Sequence, residues 1–487
     1  SLEVPGPISK VTETLEKAGF EAYLVGGCVR DLLLGRKPKD WDVTTNAKPA
    51  DIQAYFENTF YENAYGTVGV VNDGVSDETL KIVEVTPYRT EDGYSNARHP
   101  DSISFSDTLE EDLQRRDFTV NAFAYSVSQE RLIDLYEGQK DLAAGIIRTV
   151  GKPEDRFSED ALRMLRAVRL ASELHFVIEP ETEKAILKNA DLLGKISKER
   201  IRDELARVLL SDRPMEGIVL MRKVGLLRHV VADLERGIGV KQNQAHKYDV
   251  WEHNLRTLQH AADKKWSFDM RLSAMLHDIS KPETCRWSNE KKDWTFHGHD
   301  VVGGRVAKKV LTDLKFPKKT VEKVSNLVRW HMFFSDPEQI TLSAVRRTIR
   351  NVGEDNITDL LNLRICDRVG TGRPKEQPFR FRKYKSMVDE ALRDPISVTM
   401  LAIDGKGLME ALKESPGPRI GWILHALLEE VLEDPSKNTL DYLTESAKKM
   451  AVLSDEKLRS LGEQGKEKKA VAEEEQIKEI RSKHWVN

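Results

Sequence analysis

The sequence predicts an α+β protein, with an α/β head of mixed strands and helices followed by a long all-helical part. Three observations predict it. Residues 1–150 alternate short apolar runs with polar turns. From 155 onward apolar residues recur at helical spacing and strand signals nearly vanish. Pro or Gly interrupts that pattern near 179, 213, 317, 374, 395 and 416–418. At 487 residues the chain has room for two to four domains, each with its own core. With 32% charged residues, 39% hydrophobic residues and a net charge of −4, it reads as an ordinary soluble protein, so a nucleic-acid partner would have to meet a local positive surface. No apolar run reaches the ~18 residues of a membrane span, and no signal peptide is visible. Cys28, Cys285 and Cys366 lie far apart, fit no zinc spacing and read as reduced thiols of a cytoplasmic protein.

Along the head, helices are expected over 7–18, 28–35 and about 49–57, and strands in AYLVGG, TVGVVN, LKIVEVTPY, NAFAYSV and RLIDLY. Residues 25–45, VGGCVRDLLLGRKPKDWDVTT, join a Gly-Gly turn, an Arg-Asp pair opening a short helix, and Asp40-Trp41-Asp42 entering a strand. Alternate strand residues face one side, so Asp40 and Asp42 should converge about 6–7 Å apart. Two such carboxylates suit Mg2+, and Gly26 and Gly27 leave room for backbone to approach phosphate. Each feature alone is commonplace; together they suggest metal-assisted nucleotidyl transfer.

That ordered set resembles the signature of the DNA polymerase β-like nucleotidyltransferases, specifically the class II tRNA nucleotidyltransferases (CCA-adding enzymes) and the bacterial poly(A) polymerases related to them. The resemblance implies a polymerase β-like head over 1–150, a helical neck over 151–212, a body over 213–395 and a charged helical tail over 396–487, the all-α part being elongated. It implies Mg2+ on Asp40 and Asp42. Glu84, the one internal acid of the strand KIVEVTPYR, would be the third catalytic carboxylate, and the family carries a Glu in the same context. Arg30 belongs to the nucleotide-binding set. The string RRDFTVNA (115–122) resembles a family motif contacting the sugar and phosphates of the incoming nucleotide, carried here by Arg116, Asp117 and Asn121, with 117 and 121 expected on one helix face. Asp134, Gly138 and Asp141 match the hinge motif between head and neck.

Residues 158–174 read as one helix with Ser158 as N-cap and Asp160, Arg163, Arg166 and Arg169 at three-residue steps. Asp accepts hydrogen bonds and Arg donates them, so a fixed Asp–Arg pair can take the edges of cytosine and adenine and reject uracil and guanine without a template. An arbitrary pair at this spacing is more often a salt bridge. Here the segment resembles the family's base-reading motif, which falls on Asp160 and Arg163. Glu199, Arg200 and Glu204 are expected to brace that helix. Between Glu84 and Arg115 the Gly, Asn, Asp, Ser and Pro content marks a mobile loop. It begins with Arg89-Thr90-Glu91-Asp92, an element of CCA-adding relatives, and its length favours full CCA addition over poly(A) or A-only addition.

A second constellation follows. Seven of the twelve histidines fall between 246 and 331. The order His253, His277-Asp278, His299, His331 and Asp367 resembles the HD phosphohydrolases and implies an HD domain over about 246–370, with His297 as a substitute for His299. His and Asp suit a divalent transition metal such as Ni2+, Co2+ or Mn2+. The alternatives are a competent site, with phosphatase or 2′,3′-cyclic phosphodiesterase activity, and a retained helical scaffold with residual metal binding. A hydrolase whose head only binds nucleotide is the reading from another class. Finally, Arg373, Lys375, Arg380, Arg382 and Lys383, interleaved with Phe379, Phe381 and Tyr384, would grip phosphates and stack on bases, or else form a surface loop offsetting the acidic HD site. The resemblance implies tRNA, met at its acceptor stem, T-arm and 3′ end, together with CTP and ATP, as partners.

Overall fold

Strands β1 (Ala22–Val25), β2 (Trp41–Thr45), β3 (Thr59–Tyr61), β4 (Val68–Val71), β5 (Ile82–Pro87), β6 (Arg89–Asp92), β7 (Ser102–Phe105), β8 (Phe123–Ser126) and β9 (Arg131–Asp134) build the head of this computed structural model. It describes the chain apart from residues 63–64, 93–101, 244–245, 334–339, 374, 394–395 and 487. Seven strands form one mixed sheet in the order β3-β4-β5-β2-β1-β8-β9. The β2–β5 pair is parallel and the others are antiparallel. Trp41, Val43, Val83 and Val85 are buried with Leu24 and with Ile8, Val11 and Leu15 of the helix Gly6–Lys17. With period two, burying those residues turns Asp42 and Glu84 to the other face.

From Pro153 the chain is mainly helical. Pro180, Pro214 and Pro418 each stand at the first position of a helix, where their missing N–H costs nothing. Two short pairings interrupt the helices: β10 (Ile146–Ile147) with β11 (Val177–Ile178), and the hairpin of β12 (Arg286–Ser288) with β13 (Asp293–Thr295). Strands of two or three residues leave too little alternation to be recognised in a sequence. The chain divides into two compact units, one of residues 1–331 with 362–374, the other of 332–361 with 375–487. Among the described residues no helix is long and apolar enough to cross a membrane.

Three expectations are corrected. The segment expected as a mobile loop after Glu84 is ordered at both ends: β6, which is the Arg89–Asp92 element, pairs with β7, and residues 93–101 lie outside the described residues. The segment 158–174 is two helices, Pro153–Glu159 and Leu162–Leu174, separated at Asp160 (φ −144°, ψ 107°). Ser158 is therefore no N-cap; inside the first helix, its hydroxyl donates to the Glu154 carbonyl. Asp160 caps the second helix instead, its carboxylate accepting from the Leu162 N–H at 3.1 Å. In the second unit, the Lys/Glu-rich tail is the 29-residue helix Asp455–Lys483, which packs closely on Pro418–Glu433. A Cβ on Gly465 would stand 2.1 Å from the His425 carbonyl oxygen, so missing side chains let the two backbones touch.

Candidate functional site

Gly26 has φ 75°, a conformation that favours glycine, and turns the chain from β1 into the helix Gly27–Leu33. Arg30 on that helix donates to Asp31 at 3.0 and 3.1 Å and to the Asn121 side-chain oxygen at 2.6 Å. Asp40 lies exposed just before β2, and Asp42 lies within it. The parallel register sets Asp42 level with Glu84 on β5, so their carboxylates adjoin. Burial raises the pKa of Asp42, with the Glu84 hydrogen bond and Arg116 working against it. Burial, then repulsion from Asp42, pushes Glu84 up to about 7. Crowded carboxylates that resist ionising together are a donor set suited to a hard cation.

Asp117 and Asn121 do meet, with the Asn121 amide donating to Asp117 at 3.4 Å. They do so outside the expected helix, since Leu109–Gln114 has already ended and only a 3-10 turn covers Thr119–Asn121. From Asp117 an alternating chain of charges runs on. Asp117 accepts from Arg166 at 2.8 Å, Glu204 lies 3.7 Å from Arg166 and 2.7 Å from Arg169, and Glu173 lies 3.6 Å from Arg169 and 3.0 Å from Arg207. Burial would raise the Asp117 pKa, but Arg166, aided by Arg163, outweighs it and holds Asp117 at about 2.

A cleft of about 820 Å3 takes in Gly26, Gly27, Arg30, Asp40, Asp42, Arg116, Asp117, Asn121, Arg163, Arg166 and Arg169. Ten Lys or Arg side chains line it against seven carboxylates, a balance that favours a polyanionic ligand. Glu84 and Asp160 are not among its lining residues. Asp160 and Arg163 take different partners: Arg200 donates to Asp160, whereas Arg163 donates to Glu159 at 2.5 Å and to the Arg115 carbonyl at 3.2 Å.

Asp112 gave no signal in the sequence. Fully buried, it binds Arg115, Arg116, the Thr44 hydroxyl and the Arg89 N–H. Arg115 also lies 3.5 Å from Glu91, which pairs with Arg89 at 2.8 Å, so the Arg89–Asp92 element is tied to the Arg115-Arg116 pair. Only its complete burial, invisible in a string rich in acids, marks Asp112 out.

In the first unit His253, His277, Asp278 and Asp367 converge, and Asp278, His299 and His331 form a second group sharing Asp278. His253 Nε2 stands 2.9 Å from Asp367 and 3.2 Å from Asp278, and His277 Nε2 stands 3.1 and 3.2 Å from the same carboxylates. Asp278 Oδ1 lies 3.2 Å from His299 and 3.3 Å from His331. His297 is exposed; His299 is the member of the cluster. The Nδ1 atoms of His277, His299 and His331 bond the carbonyls of Ala274, Phe296 and Val328, which aims each Nε2 inward as in metal-binding histidines. The buried His299 Nε2, 3.2 Å from Asp278, is poorly aligned for a hydrogen bond to it. These residues therefore fit a divalent metal of the kind that takes imidazole and carboxylate. Burial lowers the His277 pKa, but Asp278 and Asp367 outweigh it and raise it to about 10. Sequence reasoning missed Lys281, whose buried ammonium lies 3.0 Å from Asp278 and donates to Gln242 at 2.6 Å.

Of the basic stretch, Arg373, Lys375, Arg380 and Lys383 are exposed, and Arg382 donates to the Trp485 carbonyl. Phe381 and Tyr384 are buried in the core and cannot stack on bases, while Phe379 is exposed. Their helical spacing puts 381 and 384 on the inner face of Phe379–Leu392.

Comparison with known proteins agrees with this geometry. A family model described as "Poly A polymerase head domain" matches residues 22–148, one described as "Probable RNA and SrmB- binding site of polymerase A" matches 175–237, and one for tRNA nucleotidyltransferase domain 2 matches 285–447. The chain is 34% identical to the CCA-adding enzyme of Lactiplantibacillus plantarum over 444 residues, covering 91% of this chain and 95% of that one. It is 33% identical to the CCA-adding enzyme of Ligilactobacillus salivarius, covering 92% and 98%. A solved structure of the Bacillus stearothermophilus CCA-adding enzyme in complex with CTP superposes with a TM-score of 0.60 at 27% identity, covering 92% of this chain and 98% of that one. Likeness on that scale, running through head and helices alike, makes the chain a member of the CCA-adding enzymes, a family of tRNA nucleotidyltransferases.

Proposed function

We propose that the cleft beside Asp42 completes or repairs the 3′-terminal CCA of tRNA from CTP and ATP, without a nucleic-acid template. The observation that carries this reading is the pairing of Asp42 with Glu84 on parallel strands, at the edge of a cleft lined by Arg30, Arg116, Arg163 and Arg166. Asp40, Asp42 and Glu84 would hold Mg2+, in the two-metal manner, supplying a lowered pKa at the attacking 3′-hydroxyl and charge neutralisation at the triphosphate. Gly26 and Gly27 leave space beside the phosphates, and Arg30 and Arg116 pair with phosphate oxygens. Asp117 and Asn121 address the sugar. Asp160 and Arg163 read the base, with Arg166 and Arg169 completing the nucleotide site and Glu204 and Arg200 bracing it. Arg373, Lys375, Arg380, Arg382 and Lys383 would contact RNA phosphates, and the three free cysteines suit the reducing cytoplasm. The test uses tRNAs lacking one, two or three terminal nucleotides, each NTP supplied singly, with sequencing of the 3′ ends. Runs of A on every substrate would favour poly(A) addition, and addition to none would leave the head a binding module.

A second reading rests on the His–Asp cluster. We infer that His253, His277, Asp278, His299, His331 and Asp367 form an HD-type centre for Ni2+, Co2+ or Mn2+, hydrolysing phosphoesters such as 2′,3′-cyclic phosphates. The inward-aimed imidazoles, with His299 Nε2 beside Asp278 but poorly aligned to it, favour it over a bare scaffold. Hydrolysis assayed with each metal tests it.

A further inference from the structure

The β12–β13 hairpin grows out of the rim of the His–Asp cluster. One of its ends follows Asp278 and Lys281 through the short helix Lys281–Thr284, and the other leads through Phe296 into His299. Both roots are bound into the cluster: the Phe296 carbonyl accepts from His299 Nδ1 at 2.9 Å, and the Lys281 ammonium sits 5.3 Å from the centre of the Phe296 ring. Halfway along, Trp287 and Trp294 are cross-strand partners, so their rings share one face of the ribbon. The rings stand 5.3 Å apart at 78°. Trp287 is 52% and Trp294 37% exposed.

A single exposed aromatic ring is ordinary, as Tyr61, Phe379 and Trp485 are here, but Trp287 and Trp294 sit together as a patch. One ring's edge meets the other's face, which leaves outer faces open. Arg286, Lys291 and Lys292 on the same hairpin are exposed cations, three against the two acids Glu290 and Asp293, and Arg286 also donates to the Cys285 carbonyl. At ~3.3 Å per residue of extended chain, Trp294 lies about 7 Å from Phe296, whose carbonyl holds His299. Aromatic faces for a base, cations for phosphodiester oxygens and a hydrolytic centre at the root match one ligand chemistry, a 3′-terminal nucleotide.

We propose that the Trp287–Trp294 pair is a nucleobase platform, which holds the base of a nucleotide or RNA 3′ end whose terminal phosphate lies in the Asp278 centre. The inference rests on the hydrolase reading of that centre. In the reaction, water adds to phosphorus, one of the two bonds from phosphorus to ribose oxygen breaks, and that oxygen takes a proton, leaving a phosphomonoester. The platform holds the base and takes no part in the bond changes.

The test compares adenosine 2′,3′-cyclic phosphate with the same cyclic phosphate on ribose lacking a base, on the full chain with Mn2+, Co2+ or Ni2+. Replacing both Trp287→Ala and Trp294→Ala should raise KM for the adenosine compound about tenfold, leaving its kcat and all kinetics of the baseless compound unchanged. Trp287→Phe with Trp294→Phe should retain most of the affinity. Equal losses on both substrates would make the pair a structural clasp and overturn the proposal, as would no loss on either. A second readout needs no metal: in EDTA, adenosine 2′,3′-cyclic phosphate should quench tryptophan fluorescence in the wild type by an increment missing from the double alanine variant. If wild type hydrolyses neither substrate, the hydrolase reading fails by itself. The platform is then upheld by loss of that increment and overturned by its persistence.

Discussion

Arg200 grips Asp160 with both terminal nitrogens, at 2.7 and 3.3 Å, so the carboxylate at the break between two helices is held from the helix Lys198–Leu210. An acceptor fixed in this way can discriminate among bases only while its anchor holds.

Asp160→Ala or Arg163→Ala should relax nucleotide choice towards UTP and GTP by about one to two orders of magnitude, because a bidentate base contact is worth ~1–3 kcal/mol. Arg200→Ala should move selectivity in the same direction by less. Single-nucleotide incorporation with each NTP measures this. Unchanged selectivity with lost stability would reduce the group to salt bridges.

Asp42→Ala should abolish nucleotide addition and leave tRNA binding nearly intact, since Asp42 faces Glu84 and the cleft. Addition rates and tRNA gel shifts check it, and near wild-type addition would remove the carboxylate from the mechanism.

The Asp117 carboxyl, held at about 2 by Arg166, should make the head sensitive to acid. A depressed pKa gives stability that is complete above the unfolded-state value and lost as pH falls through the folded one. The contribution is about 2 kcal/mol at neutral pH and fades between about pH 4 and 2. Asp117→Asn should lower the unfolding midpoint of the head at pH 7 and leave it close to wild type near pH 2. An equal deficit at both pH values would mean that packing, and not the ion pair, is at stake.

The two centres should work independently. His277→Ala with Asp278→Ala should abolish hydrolysis of 2′,3′-cyclic phosphate and leave CCA addition largely unaffected, and Asp40→Ala should do the reverse. A folded, tRNA-binding double variant that fails at CCA addition would show that the centres are coupled.

Gly465→Ala should loosen the second unit, because its Cβ would stand 2.1 Å from the His425 carbonyl oxygen. Overpacking of this kind costs about 1–3 kcal/mol. Hydrogen exchange in Pro418–Glu433 and Asp455–Lys483 should quicken while the head is unchanged; protection equal to wild type would show that the helices part at no cost.

Local pattern carried much of this molecule into view. Trp41 between two acids announced a strand with one buried face, and adjacent His277-Asp278 after an apolar run announced a cluster. The break at Asp160 escaped because helical periodicity continues across it, while its carboxylate is engaged by the Leu162 N–H and by Arg200, forty residues away. The tail's charges hid Gly462 and Gly465, whose value lies in what a partner helix does against them. Lys281 and Asp112 escaped for a related reason: a charged residue in a sequence gives no sign that it is buried.

Asp367 reaches His253 across 114 residues of sequence. Between them the chain leaves the first unit, contributes residues 332–361 to the second and comes back. The His–Asp cluster thus closes late: His253, His277, Asp278 and His299 can gather by residue 299, but the Asp367 carboxylate arrives only after the excursion. Fastening so long a loop carries an entropic cost that grows only slowly with its length, and an ion bridging both ends would help to offset it much as a cross-link does. The direct contacts of His253 and His277 with Asp367 then hold the two ends of the first unit together, quite apart from any reaction at the cluster.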